Sequence, residues 1–168
     1  IICAETVNAV RDLNPKTTIE TLIPDFKGET ENIDRIIEVA PEVVSHNLET
    51  VRRLTREVRI QAKYDRSLEV LKYLKENGIN RTKSGLMLGL GETKEEIIET
   101  MRDLRNVGVD IITLGQYLQP TKKHLTVKDF ITPEDFKEYE VIGKEMGFRH
   151  VESGPLVRSS YKAHKHIH

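Results

Sequence analysis

Short apolar stretches alternate along this chain with amphipathic ones, and that alternation constrains the fold more than any other feature. Strand-like runs fall at residues 18–23, 43–45, 83–90, 109–117 and 148–152. Helical periodicity fills the intervals. Ile33, Ile36, Ile37 and Ala40 form one stripe, and Leu68, Leu71, Tyr73 and Leu74 another, closed by Gly78 as a C-terminal cap. A helix is also expected at 49–58. Thr93 with Glu96 three positions on predicts a capped helix over 94–106. Thr132-Pro133-Glu134 opens another, with proline at its first position and acids in its first turn. At the start, Ile2, Cys3, Thr6, Val7 and Val10 share a helical face that Asn14-Pro15 ends, because a residue before proline resists the helical region. Parallel neighbours need a crossover connection, so this repetition predicts an α/β chain with a parallel sheet.

Two architectures satisfy such a pattern, the doubly wound sheet and the (β/α) barrel. A dinucleotide-type sheet concentrates glycines after its first strand, and no such cluster occurs here. Instead nearly every strand ends in a polar or Gly/Pro group: Pro24-Asp25, His46-Asn47, residues 89–92, residues 116–120 and Ser153-Gly154-Pro155. In a barrel these carboxyl ends face one mouth, where chemistry sits. The expectation is a partial parallel (β/α) barrel over residues 1–152, followed by a tail at 153–168. The chain opens without Met and inside a helix-like segment, as a piece of a longer protein does.

Composition removes several function classes. Lys and Arg number 26 against 27 acids, a net charge of −1, so no global field draws nucleic acid or an anionic membrane. Aromatics are 5% and Trp is absent, which argues against base-stacking platforms. No run approaches the roughly 18 apolar residues of a membrane span. One cysteine, Cys3, excludes an internal disulfide framework and any zinc or iron–sulfur site built by several thiolates of this chain. On its helical face Cys3 reads as a small buried apolar residue.

Single segments carry modest signals. Glycines at 85, 89 and 91 leave room for a flat ligand or another backbone, although a plain turn accounts for them equally well. His46-Asn47 could bind a ribose or an amine, or simply make an Asx turn. Gln116, Tyr117 and Gln119 offer polar groups that also serve buried backbone. Arg59 and Lys63 could meet a carboxylate, with a solvated face as the default. Lys122-Lys123-His124 is a small basic patch or an ordinary loop. His164, His166 and His168 alternate in what reads as a mobile terminus rather than a metal site.

Together the segments carry a resemblance. Residues 22–28 (LIPDFKG), 45–50 (SHNLET), 83–93 (KSGLMLGLGET), 113–121 (TLGQYLQPT) and 154–163 (GPLVRSSYKA) resemble the lipoyl synthase family of radical S-adenosylmethionine enzymes, in order and across essentially the whole chain. The resemblance implies insertion of two sulfurs at C6 and C8 of an octanoyl chain held on a carrier protein. It implies S-adenosylmethionine and two 4Fe–4S clusters in the complete enzyme, with an electron donor such as ferredoxin or flavodoxin. Bacterial cytoplasm or mitochondrial matrix is the implied compartment.

By resemblance, Asn47 and Glu49 approach the ribose or amino group of S-adenosylmethionine and Arg59 its carboxylate. Gly89, Gly91, Glu92 and Gln116 line the same ligand. Ser159 or Ser160 contributes an oxygen ligand to the auxiliary cluster. The carrier would meet the basic loop at 122–124. No residue of this chain is assigned acid–base catalysis. The departure is the lack of both cysteine triplets, so this chain alone is expected to be inactive. A biotin-synthase-type sulfur inserter is disfavoured by the Arg158-Ser159-Ser160-Tyr161 tail. A non-catalytic or split-subunit half-barrel that binds adenosylmethionine or carrier is the reading from another class.

Overall fold

A computed structural model describes residues 2–167 and shows five strands, all parallel, paired in the order in which they occur. They are β1 (Glu20–Leu22), β2 (Val43–Ser45), β3 (Arg81–Leu88), β4 (Ile111–Gln116) and β5 (His150–Ser153). A strand order that never doubles back has no switch point, which separates this sheet from doubly wound folds. Among the described residues β1 and β5 are both edges, so the sheet is an open, partial (β/α) barrel, as the sequence predicts.

The helices are α1 (Ile2–Leu13), α2 (Thr30–Glu38), α3 (Thr55–Val58), α4 (Tyr64–Glu76), α5 (Lys94–Asn106) and α6 (Pro133–Glu145). Strand alternation sends one set of side chains toward them. Leu86, Leu88, Ile112, Leu114 and Val151 join Leu71, Met101, Leu104 and Phe136 in the larger apolar core, while Val44 packs with Ile23, Ile33, Ile36 and Leu74 in a second. The opposite set, including Glu20, Lys83, Gly85, Met87, Thr113 and Gly115, lines the concave face.

The caps form as read. The Thr93 hydroxyl accepts a bond from Glu96 N while the Glu96 carboxylate accepts one from Thr93 N, and Thr132 caps α6 with Pro133 in first place. Three expectations are corrected. The helix expected at 49–58 is broken: Glu49 is held in a backbone bridge to Leu86, and only a 3-10 turn (Arg52–Leu54) and the single turn of α3 follow. Bonds from Glu49 N to Gly85 O (2.9 Å) and Met87 N to Glu49 O (2.8 Å) satisfy the backbone that a helix would have used. On α1 the shared face stands, since Ile2, Cys3, Thr6, Val7 and Val10 line one depression beside β1, but of these only Val7 is buried and Cys3, expected buried, is half-buried. The third correction concerns the terminus. Residues 154–167 fold back across the concave face and bury His166 completely; His168 lies outside the described residues.

His46 shows how the polar strand ends are braced. Its Nδ1 donates to Ile23 O (2.9 Å), which leaves Nε2 to accept from the Ser67 hydroxyl (2.9 Å). Burial pushes its pKa below the ordinary 6.5, against the raising effect of the Ile23 carbonyl. The unfolded chain therefore takes up a proton that the folded chain refuses. Stability from this site is present above the ordinary value and drains away as pH falls below it. Wild type is expected to lose Tm between about pH 7.5 and about pH 5.5 more steeply than a His46→Gln variant. Parallel slopes would remove His46 as the cause.

Candidate functional site

The site begins where β2 stops. After Ser45 the backbone bulges through residues 46–48 and rejoins β3 at Glu49, whose φ of 67° lies in the left-handed region. A non-glycine residue there costs on the order of 1 kcal/mol, and such strain gathers at functional positions. The bulge aims two side chains into the concave face. Asn47 Nδ2 donates to Glu49 Oε1 (3.1 Å), and Asn47 Oδ1 is buried with no hydrogen-bond partner among the described residues.

These two line a cavity of about 210 Å³ whose other walls include Gly85, Met87, Thr113, Gly115 and Ser159. A Cβ at Gly85 would stand 2.6 Å from Thr113 Oγ1 and 3.2 Å from Asn47 Oδ1, so the glycine keeps this space open. An unpartnered buried acceptor, a carboxylate and a glycine-floored space suit a polar ligand that brings hydrogen-bond donors.

Arg59 braces the bulge from beneath. Its Nη1 donates to Asn47 O (2.9 Å) and Leu48 O (3.3 Å). Burial lowers its pKa, against the raising influence of Glu49 and Asp25. Among the described residues it makes no side-chain ion pair within 4 Å, which leaves its charge available to an anion. A neighbouring depression lined by Asp25, Lys27, Arg59 and Arg66 opens on the same rim.

Gly89, Gly91, Glu92 and Gln116 come together in a different arrangement, a clasp at the ends of β3 and β4. The Glu92 carboxylate accepts from Gly89 N (2.5 Å) and Leu90 N (2.9 Å), while Gly91 O accepts from Arg53 (2.8 Å). Gln116 Nε2 donates to Asp129 O (3.0 Å) and its Oε1 accepts from Ile131 N (2.9 Å), pinning the long 119–131 loop to the sheet. None of these four lines the Asn47 cavity. Lys122, Lys123 and His124 are exposed on the outer part of that loop.

The tail completes the site. Val157 is buried against β4, Ser159 reaches the Asn47 cavity as a half-buried residue, and Ser160 is exposed. Its path crosses Gly115, where a Cβ would lie 2.2 Å from Val157 O. Gly115 was legible in principle, since a glycine inside a strand marks close approach of another backbone. Lys83, Glu20 and His166 carried no such signal.

A family model of the radical SAM superfamily matches residues 2–104, more than half of the chain. The chain belongs to the radical SAM superfamily. It is 77% identical over 167 residues to a lipoyl synthase of Flavobacterium johnsoniae and 73% identical over 168 residues to a mitochondrial lipoyl synthase of Nematostella vectensis. These alignments take in 99% and 100% of the chain but 58% of each relative. The chain thus spans little more than half the length of the curated relatives it matches. Among solved structures, methylornithine synthase (PylB) aligns with a TM-score of 0.68 at 15% identity, covering 89% of this chain and 51% of its own. The hydrogenase maturase HydG aligns at 0.67 and 16%, covering 98% and 44%. At such identities the likeness establishes the fold.

Membership in this radical SAM superfamily brings S-adenosylmethionine and iron–sulfur chemistry with it. Toward the first, the Asn47 cavity offers an unpartnered acceptor, a carboxylate and a glycine floor. The residues of this chain do not fit a cluster by themselves: among the described residues no three His, Cys, Asp or Glu side chains gather to hold a metal, and Cys3 lies on α1 beside β1. No described helix is long and apolar enough to cross a membrane.

Proposed function

We propose that this chain is the portion of a lipoyl synthase that binds S-adenosylmethionine and brings the Arg-Ser-Ser-Tyr tail to it, within an enzyme that inserts two sulfurs into a carrier-bound octanoyl chain. The observation that carries this reading is the meeting of Asn47, Glu49 and Ser159 in one cavity, in a chain so close to named lipoyl synthases. When bound with a reduced cluster, S-adenosylmethionine supplies the hydrogen-abstracting radical that unactivated C6 and C8 require.

The side chains of this chain bind and orient. Asn47 Oδ1 and the Glu49 carboxylate accept hydrogen bonds from ribose hydroxyls or an ammonium group. The bond between the two holds them in register before the ligand arrives. Arg59 attracts the carboxylate of the amino acid part. The strained Glu49 backbone fixes the carboxylate at the cavity wall and reduces the ordering that binding would otherwise demand. The clasp of Gly89, Gly91, Glu92 and Gln116 shapes the adjoining rim, and the basic loop at 122–124 offers an acidic carrier domain a docking point.

Ser159, at the cavity, is the better placed of the two serines to bind an iron of the auxiliary cluster, whose cysteine ligands would come from outside this chain. Two clusters, a ferredoxin or flavodoxin donor, and a cytoplasmic or mitochondrial-matrix setting complete the reading.

The test uses a protein of the relatives' full length carrying this chain. Isothermal titration is expected to find adenosylmethionine bound about ten-fold more weakly by Asn47→Ala, the loss of one to two hydrogen bonds, with cluster content unchanged. Mass spectrometry of an octanoylated carrier domain is expected to show both sulfurs added by wild type. Ser159→Ala should still cleave adenosylmethionine but be impaired in sulfur insertion. Wild-type affinity in Asn47→Ala would remove that residue from the site. An unmodified carrier with intact clusters and donor would defeat the lipoyl synthase reading.

A further inference from the structure

Beneath the tail, on the floor of the concave face, lies a polar cluster that the proposed reaction does not use. Lys83 projects from the middle of β3 toward the concave face and is fully buried there. What covers it is the tail. Lys83 Nζ donates to Glu20 Oε1 on the edge strand β1 (2.7 Å) and to His166 Nδ1 (3.3 Å). His166 is itself fully buried, with its ring centroid 5.4 Å from that of His150 on β5. A short 3-10 helix, Ala163–Ile167, delivers it there.

We propose that Lys83, Glu20 and His166 form an anchor that fixes the C-terminal tail across the half-barrel, with His166 as the positioning residue that seats Ser159 in the Asn47 cavity. A lysine ammonium withdrawn from water is costly unless its donors are met. With the tail lifted, Lys83 returns to solvent at no loss. With the tail down it is dehydrated, so the docked state depends on acceptors for its donors, one already on the sheet and one that only the closed tail brings. Glu20 supplies one and His166 the other. Burial raises the pKa of Glu20, yet His166 and Lys83 together bring it below the ordinary carboxylate value, so the cluster holds an ionised carboxylate.

The anchor spans the sheet. It joins β1, β3 and the tail, beside β5, whereas at its near end the tail meets β4, with Val157 on Gly115, and the half-exposed ion pair of Lys162 with Glu152 (3.6 Å) adds a surface contact to β5. Two well-separated holding points fix the direction of the intervening residues as well as their position. Residues 158–165 lie between them, and Ser159 is among these.

The test is tail protection in the full-length protein without added ligand, so its outcome does not depend on the proposed reaction. Native trypsin digestion reads cleavage after the exposed Lys162 and Lys165. Hydrogen exchange reads the amides of residues 157–160 in undigested protein. His166→Phe keeps the bulk and removes the acceptor. It is expected to raise both rates by about ten-fold or more, with Tm close to wild type. His166→Gln offers a side-chain oxygen to Lys83 and is expected to restore protection to within about two-fold of wild type. Wild-type protection in His166→Phe, or equal exposure of the Gln and Phe variants, would overturn the anchor. Deletion of residues 164–168 is a second variant that leaves every strand intact, and it is expected to match His166→Phe at residues 157–160. Full protection there would equally overturn it.

Discussion

A Gly89→Ala variant is expected to melt roughly 6–12 °C below wild type. Gly89 has φ +101°, a conformation that L side chains rarely adopt. Its Cβ would also lie 2.3 Å from Asp129 O and 2.4 Å from Gln116 Nε2. Both neighbours belong to the clasp that holds the 119–131 loop, so relief of the clash breaks the bonds from Gln116 to Asp129 and from Ile131 to Gln116. Strain and lost bonds together come to about 3 kcal/mol. At roughly 2–4 °C per kcal/mol for a chain of this size, that gives the stated range. Gly78→Ala is the matched comparison, because Gly78 shares φ +101° but would meet nothing within 4 Å. Its loss is expected to be about 1 kcal/mol. Thermal melts of the two variants separate backbone strain from the clasp. Equal losses would show that the clasp contributes nothing.

Gly115→Ala should act on function far more than on stability. The backbone of β4 is extended at Gly115, so an alanine there is compatible with the strand itself. Its Cβ nevertheless meets Val157 O at 2.2 Å and Arg158 Nη1 at 3.3 Å, and the strand is held by pairing on both sides. The tail has to yield, by about 1 Å, to restore ordinary contact. Misplacement of a reacting group by about that distance costs on the order of 100-fold in rate. In the full-length protein, sulfur insertion is expected to fall by about that factor while Tm moves by only a few degrees. Trypsin should find Lys162 more readily in the same variant. Normal turnover with a protected tail would mean that the tail tolerates the methyl group and that its seat is elsewhere.

The elements that sequence reading located best are those governed by local rules. Helix α5 runs over the predicted 94–106, because Thr93 and Glu96 satisfy each other through three residues of backbone. Strand β2 stands at 43–45 as read, and the parallel order follows from crossover length alone. The misreading at 49–58 has a non-local cause. Glu49 has helix-compatible neighbours, but its amide and carbonyl are taken by β3, more than 30 residues away, and no periodicity reports that.

The site divides in the same way. Asn47 was legible as part of a polar strand end and Glu49 through the family resemblance alone, and the structure adds the bulge that turns both into one cavity. Gly89, Glu92 and Gln116 were legible as a group of polar and glycine residues, but their hydrogen bonds turn inward, Glu92 to the amides of residues 89 and 90 and Gln116 to the loop. The tail was the least legible. A run of alternating histidines and lysines has the composition of a solvated end, and only the buried Lys83 gives His166 a reason to leave water.

The sheet adds its strands in the order in which a ribosome would deliver them. Each new strand from β2 onward finds its neighbour already made, so the convex core can grow unit by unit during synthesis with little searching. The concave face cannot mature in this way. Glu20 on the first strand and His166 near the end are separated by almost the whole length of the chain, and Lys83 waits between them. The anchor over the concave face therefore closes only after translation has passed all five of these strands. Until then, a charged interior remains hydrated and open for whatever must be loaded.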